Sequence, residues 1–119
     1  MLRAHSLLPM LAACASVAPP GAADTAALGE TIRVGALEVT PRTVIEDSRC
    51  PTDATCVWAG RVVLRADVSD GARRTHDLIL GVPVPAGGGT LTLSAVLPAR
   101  RADAPIAPAA YRFRFAFAR

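Results

Sequence analysis

From Glu30 onward, apolar and polar residues of this 119-residue chain alternate with a period of two, which is the spacing of half-buried β-strands. Glycine and proline residues interrupt the alternation, and between them no stretch of ten residues keeps the apolar spacing of an α-helix. The interruptions lie at Gly35, at Pro41, at residues 87–89 and across the proline-rich stretch 98–108. The sequence therefore predicts an all-β fold of six to seven strands, either a small antiparallel, immunoglobulin-like β-sandwich or a partly closed barrel.

Two segments allow a more detailed prediction. A two-residue turn at residues 70–71 would place Leu64 opposite Asp77, whereas a three-residue loop over 70–72 pairs Leu64 with Leu78. Because only the second register keeps carboxylates off the apolar face, the pattern predicts the three-residue loop. In the last segment, four aromatic residues alternate with charged or small ones, and we expect them to fill the core, with an exposed binding stripe as the alternative. These aromatic residues are Tyr111, Phe113, Phe115 and Phe117.

The N-terminal segment carries the features of an export signal. Arg3 precedes a short apolar stretch, and residues 11–14 read Leu-Ala-Ala-Cys, which resembles the lipobox of bacterial lipoproteins. The resemblance implies cleavage before Cys14 and acylation of its thiol. The chain would then divide into a signal peptide (1–13), a flexible tether (14–29) and a single β domain (30–119). The alternatives are ordinary secretion with cleavage near Ala23, or an apolar N-terminal helix that is never removed.

The remaining cysteines predict a disulfide bond. Export leaves Cys50 and Cys56 as a pair in an oxidising compartment, and a bond between them would close a loop of about seven residues. A zinc site is the competing interpretation, but this pair lacks the second pair of ligands that a structural zinc site needs. The spacing also differs from the C-x-x-C of redox-active dithiols. We expect neither a metal nor another cofactor.

The one distinctive motif of the chain surrounds these cysteines. Residues 47–51 read Asp-Ser-Arg-Cys-Pro and residues 56–60 read Cys-Val-Trp-Ala-Gly. This segment resembles the motif D-S-R-C-P-x4-C-V-W-A-G of a group of small exported bacterial proteins, often lipoproteins, which have no established activity. A second segment of that group, P-I-x-P-x-x-Y-R, matches residues 105–112. The resemblance implies a small β domain at the cell envelope and implies no reaction.

The residue types of the motif suggest a loop between two strands that the two cysteines hold together. We expect Arg49 to pair with Asp47 or Asp53, Trp58 to pack beside the disulfide or cap an open end of the core, and Gly60 to mark a bulge or a close approach of two backbones. The loop either sets the register of the strands or presents residues to a partner. The candidate recognition residues are Asp47, Arg49, Pro51, Asp53 and Trp58.

Catalysis is not expected. After processing, His76 is the one histidine, it shares a strand face with Leu78, and Asp77 faces the other way. Cleavage before Cys14 would leave 12 arginines against 10 acidic residues, a balance of +2 that is too small to indicate nucleic-acid binding.

The sequence therefore predicts a non-enzymatic binding or interaction lipoprotein. Its partners would be the membrane, through the N-terminal lipid, and an envelope protein. Ala15 rather than aspartate follows Cys14, which favours the outer membrane, facing the periplasm. One alternative is an inhibitor of a secreted hydrolase that uses the 50–56 loop, and the other is a purely structural envelope lipoprotein.

Overall fold

The computed structural model describes residues 25–119, so the predicted signal peptide, Cys14 and the first part of the predicted tether lie outside the described residues. Eight strands and one short 3-10 helix follow one another along the chain. They are β1 (Thr25–Ala26), β2 (Ile32–Val34), β3 (Leu37–Asp47), β4 (Val62–Ser69), β5 (Arg73–Ile79), β6 (Val84–Ala86), β7 (Gly89–Leu97), the 3-10 helix (Pro108–Ala110) and β8 (Arg112–Ala118). Among these residues no helix has the length and apolar character needed to cross a membrane.

The strands form two antiparallel sheets of four strands each, with the orders β1-β8-β7-β6 and β2-β3-β4-β5. The sheets pack face to face, so the predicted β-sandwich is confirmed and the partly closed barrel is not formed. In each sheet, neighbouring strands are consecutive in the sequence, except for β1 beside β8. The likeness to immunoglobulin domains therefore extends to the two packed sheets and not to Greek-key connections.

The core lies between the two inner faces, as the alternation predicts. Phe113 is fully buried, Tyr111 and Phe115 are buried, and Phe117 packs against the same cluster from a half-buried position. The rings of Tyr111 and Phe113 stack with their centroids 5.6 Å apart. The apolar residues of the opposite sheet that face them are Leu37, Val39, Val62, Leu64, Ala66, Val68 and Leu78. The last strand is therefore part of the core and not an exposed stripe.

The predicted register of the β4–β5 hairpin is confirmed. Leu64 pairs with Leu78 and Ser69 pairs with Arg73, which leaves residues 70–72 as a three-residue loop. Asp77 lies on the outer face, where it accepts a hydrogen bond of 3.0 Å from Arg65.

Two boundaries differ from the predictions. Residues 25–29, assigned to the flexible tether, belong to the domain, because β1 pairs with β8 and Ala26 is fully buried. A two-residue strand is too short to show an alternation in the sequence. Pro41 was expected to separate strands but lies inside β3, where the register shifts between Pro41 and Thr43. A bulge of this kind accommodates proline because proline has no amide hydrogen to donate to a ladder.

The strands also define two opposite ends of the sandwich. At one end, which we call the loop pole, β3 leads into β4 through residues 48–61, and β7 leads towards β8 through residues 98–111. At the other end, the cleft pole, lie the loop 70–72 and the tight turn of β6 and β7 at Gly87 and Gly88.

Candidate functional site: the stapled loop

Residues 48–61, which we call the stapled loop, continue β3 and β4 beyond the sandwich. The amide of Ser48 donates to the carbonyl of Arg61 at 2.8 Å, and that of Cys50 donates to the carbonyl of Ala59 at 3.0 Å. Cys50 and Cys56 form the predicted disulfide, with their Cα atoms 5.8 Å apart. In the chain-entropy treatment, a bond that closes so short a loop stabilises the fold by roughly 2 kcal/mol. The disulfide is therefore confirmed, and it fixes the tip of the loop.

A partly buried ionic network ties the base of the loop to the opposite sheet. The guanidinium of Arg49 donates through two nitrogens to the two carboxylate oxygens of Asp47, each at 2.8 Å. The hydroxyl of Tyr111 donates to the same carboxylate at 2.8 Å. Arg49 also donates to the carbonyls of Val96, at 2.9 Å, and Pro98, at 3.1 Å. Such a two-pronged arginine–carboxylate pair fixes orientation as well as distance.

The network changes the acidity of its members. Burial by itself raises the pKa of Asp47, but hydrogen bonds from Arg49 and Tyr111 outweigh it and hold the pKa of that carboxyl below its usual range. The hydrogen bond to Asp47 raises the pKa of Arg49. Burial, followed by the hydrogen bond to Asp47, raises the pKa of Tyr111 to about 12. At neutral pH the network therefore contains an ion pair and a neutral tyrosine.

The segment 98–102 supports the tip of the loop. The amide of Thr52 donates to the carbonyl of Arg100 at 2.9 Å, and a carboxylate oxygen of Asp53 accepts from the amide of Ala102 at 2.9 Å. In return, the guanidinium of Arg100 donates to the carbonyl of Arg49 at 2.8 Å. The first half of the disulfide-bonded turn and the residue before it are therefore held by contacts that reach about fifty positions along the chain.

Gly60 sits where the two arms of the loop approach most closely. Its φ is +71°, and a Cβ atom at this position would collide with the backbone carbonyl of Ser48. The Ser48 hydroxyl accepts a hydrogen bond from the amide of Arg61 at 3.0 Å. The expected close backbone approach at Gly60 is confirmed, and only glycine fits it.

Two large apolar side chains of the loop face solvent. Val57 is 91% exposed and Trp58 is 82% exposed. The expectation that the indole packs beside the disulfide or caps the core was therefore wrong. The stapled loop is held to β3 and β7 through Arg49 and to the segment 98–102 through Thr52 and Asp53, and the indole takes no part in these hydrogen bonds.

The predicted recognition residues thus separate into two groups. The side chains of Asp47 and Arg49, only 9% and 17% exposed, support the loop from within and do not belong to its outer surface. Asp53 holds the tip, and Pro51 is half-buried. Among the five predicted recognition residues, Trp58 has the large side chain that is exposed to solvent. Sequence reasoning missed its neighbour Val57, although two adjacent large apolar residues outside any alternating segment are a usable signal.

Nothing in residues 25–119 brings together three or more His, Cys, Asp or Glu side chains that could hold a metal ion. His76 lies at the cleft pole, away from the stapled loop. No protein-family model matches the chain, and no match was found among curated proteins or solved structures. The resemblance to exported bacterial proteins therefore stays a prediction.

Proposed function

We propose that this chain is a non-enzymatic interaction domain of the cell envelope that binds a protein partner through Val57 and Trp58. The observation that carries the proposal is the exposure of these two side chains on a loop that is held rigid at its tip and at its base. Tryptophan is enriched among residues that dominate binding energy at protein interfaces. A rigid loop also loses less conformational entropy on binding than a flexible one.

Magnitudes support a role for both side chains together. Burying one such apolar side chain contributes roughly 1.5–3 kcal/mol, so the pair supplies about 3–6 kcal/mol. Association costs at least about 4 kcal/mol in lost translational and rotational freedom. Contacts from the exposed tip, residues 52–56, are therefore needed for stable binding. A purely structural lipoprotein would gain nothing from an exposed indole, so this alternative has less support.

The replacement Trp58→Ala should weaken binding of the partner without destabilising the domain. Because the indole already lies in solvent, we expect the free energy of unfolding to change by less than about 0.5 kcal/mol. Affinity for the partner should fall by at least about tenfold, the equivalent of 1.4 kcal/mol. The partner would be identified by cross-linking in envelope extract from a photoreactive group at position 57, and its Kd would then be measured.

The matched control is Val82→Ala, which removes an apolar side chain that is 46% exposed and lies outside the stapled loop. This variant should bind like the unmodified protein. Equal affinity of the Trp58→Ala variant and the unmodified protein for the cross-linked partner would contradict the proposal.

A second candidate function is inhibition of a secreted hydrolase by insertion of the 50–56 loop into its cleft. Its support is that Thr52 to Cys56 are all exposed while the disulfide and the contacts to residues 100 and 102 fix their shape. The protein would be titrated against secreted serine proteases, metalloproteases and glycosidases. Stoichiometric inhibition that is lost when residues 51–55 are replaced supports this function, and full activity of every enzyme counts against it.

Anchoring through Cys14 is part of the proposal and rests on the lipobox-like residues 11–14. The variant Cys14→Ser should lose its acyl label and move from the membrane fraction to the soluble fraction. Metabolic labelling with a fatty-acid analogue and cell fractionation measure both effects. The double variant Cys50→Ser, Cys56→Ser should keep its label. An intact N-terminus in the mass spectrum of protein purified from the envelope would contradict lipid anchoring.

A further inference from the structure

A cleft of about 770 Å³ opens at the cleft pole, at the end of the sandwich opposite the stapled loop. Its floor contains Leu37 of β3 and Val68 of β4, which are core residues. One wall is formed by Arg74 and His76 of β5, and the other by residues 85–90 of the β6–β7 hairpin. The volume lies within the range of about 300–1,000 Å³ that is usual for sites that bind small molecules.

We propose that this cleft binds a small organic anion with an apolar body, specifically a carboxylate on an aliphatic chain. The site is separate from the stapled loop and does not depend on the function proposed for it. Its two parts, an apolar floor and a cationic wall, correspond to the two parts of such a ligand.

The apolar part of the site borders the core of the sandwich at this pole. Leu37 is fully buried and Val68 nearly so, yet both border the cleft. Pro85 and Ala86 add apolar surface on the side of the hairpin. Because Leu37 and Val68 have almost no exposed surface, the apolar surface that a hydrocarbon chain would remove from water belongs to the wall residues such as Pro85 and Ala86. Its burial favours binding by about 25 cal/mol for each Å².

The cationic part comes from β5. Arg74 pairs with Val68 across the β4–β5 ladder, so it emerges on the inner face of the sheet, towards the cleft. Within residues 25–119, Arg74 and His76 make no hydrogen bond or ion pair with another side chain. A guanidinium without a carboxylate partner beside an apolar floor favours an anionic head group.

The hairpin wall adds two further donors. Gly87 and Gly88 form a tight turn with φ values of +58° and +78°, and no backbone hydrogen bond of their amides occurs in the described part of the chain. Successive free amides of a turn favour anions. Asp70 is the acidic side chain on this lining, and it accepts a bond of 3.4 Å from the amide of Ala72 in its own loop. The lining therefore includes two guanidinium groups, those of Arg74 and Arg119, and one acidic side chain, that of Asp70.

The test is an NMR titration of the 15N-labelled protein with sodium octanoate, and with octan-1-ol as the neutral counterpart. Octanoate should cause saturable shifts of the amides of residues 74–76 and 85–90, and octanol should bind at least about tenfold more weakly. The variant Arg74→Gln should weaken octanoate binding about tenfold, and Arg74→Lys should retain part of it.

Arg73→Gln is the matched control, since it removes the same charge one position earlier, on the outer face opposite Ser69. Its affinity for octanoate should equal that of the unmodified protein. Three results would each overturn the proposal: no saturable shift with octanoate, equal affinity for octanoate and octanol, or equal weakening by Arg73→Gln and Arg74→Gln. The comparison of the two ligands uses the unmodified protein and so does not depend on any variant folding.

Discussion

Replacing Phe113 with alanine should lower the free energy of unfolding by roughly 3–5 kcal/mol. The side chain is fully buried in β8, pairs with Val96 of β7 and Ala26 of β1, and stacks on Tyr111. Removing the ring loses its transfer free energy and leaves a cavity between two sheets that can close only partly. Because native domains have about 5–15 kcal/mol of stability in total, the variant should be close to unfolding at room temperature.

The control for this prediction lies next to it in the same strand. Arg114 is exposed on the outer face of β8, so Arg114→Ala should cost less than about 1 kcal/mol. Urea denaturation of both variants, followed by circular dichroism, gives the two free energies. Similar small losses in both variants would contradict the core position of the aromatic face.

Replacing Asp47 with alanine should lower the free energy of unfolding by about 2–4 kcal/mol at neutral pH, less than for a fully buried ion pair. Breaking a buried ion pair from one side usually costs about 3–5 kcal/mol, because the remaining charge loses its partner without regaining water. Here Arg49 keeps its carbonyl partners and some contact with solvent, which reduces the penalty. Asp77→Ala is the matched control, since it removes a carboxylate from an exposed pair with Arg65 and should have a much smaller effect.

The loss of unfolding free energy caused by Asp47→Ala should also depend on pH, and it should be smaller in strong acid than at neutral pH. The pKa of Asp47 in the fold lies below its usual range, so its ionised form is favoured by folding. This stabilisation is fully present above the usual aspartate pKa of about 3.9, and it is lost as the pH falls through the lower pKa in the fold. The difference in unfolding free energy between the unmodified protein and the variant should therefore shrink in strong acid. A difference that grows in acid would contradict the ion pair.

The parts of the structure that the sequence predicted are those determined by neighbouring strands. The pairing of Leu64 with Leu78 follows from the alternation alone, because a shift by one residue would bring a carboxylate into the core. The disulfide follows from two cysteines close together in the chain. The motif residues were harder to place, because the carboxylate of Asp47, which pairs with Arg49, also accepts a hydrogen bond from Tyr111, sixty-four positions later, and no local pattern reveals that contact.

The exposure of Trp58 was missed for the same reason, although Val57 and Trp58 lie side by side outside any alternating segment. The loop is attached to the sandwich by Arg49 and by contacts to residues 100 and 102, and these attachments make packing of the indole unnecessary. The cleft also depends on distant segments, since Leu37, Arg74 and Gly88 meet only when the two sheets pack. Such sites arise from tertiary arrangement rather than from sequence spacing.

Strand β3 begins at Leu37 in the floor of the cleft and ends at Asp47 beneath the stapled loop. An eleven-residue strand is at most about 36 Å long, and it is held on one side by the full length of β4. A molecule at one end would therefore not touch a molecule at the other, and neither would block the entry of the other. Binding at the two proposed sites would therefore be independent, so that one domain could hold both molecules at the same time.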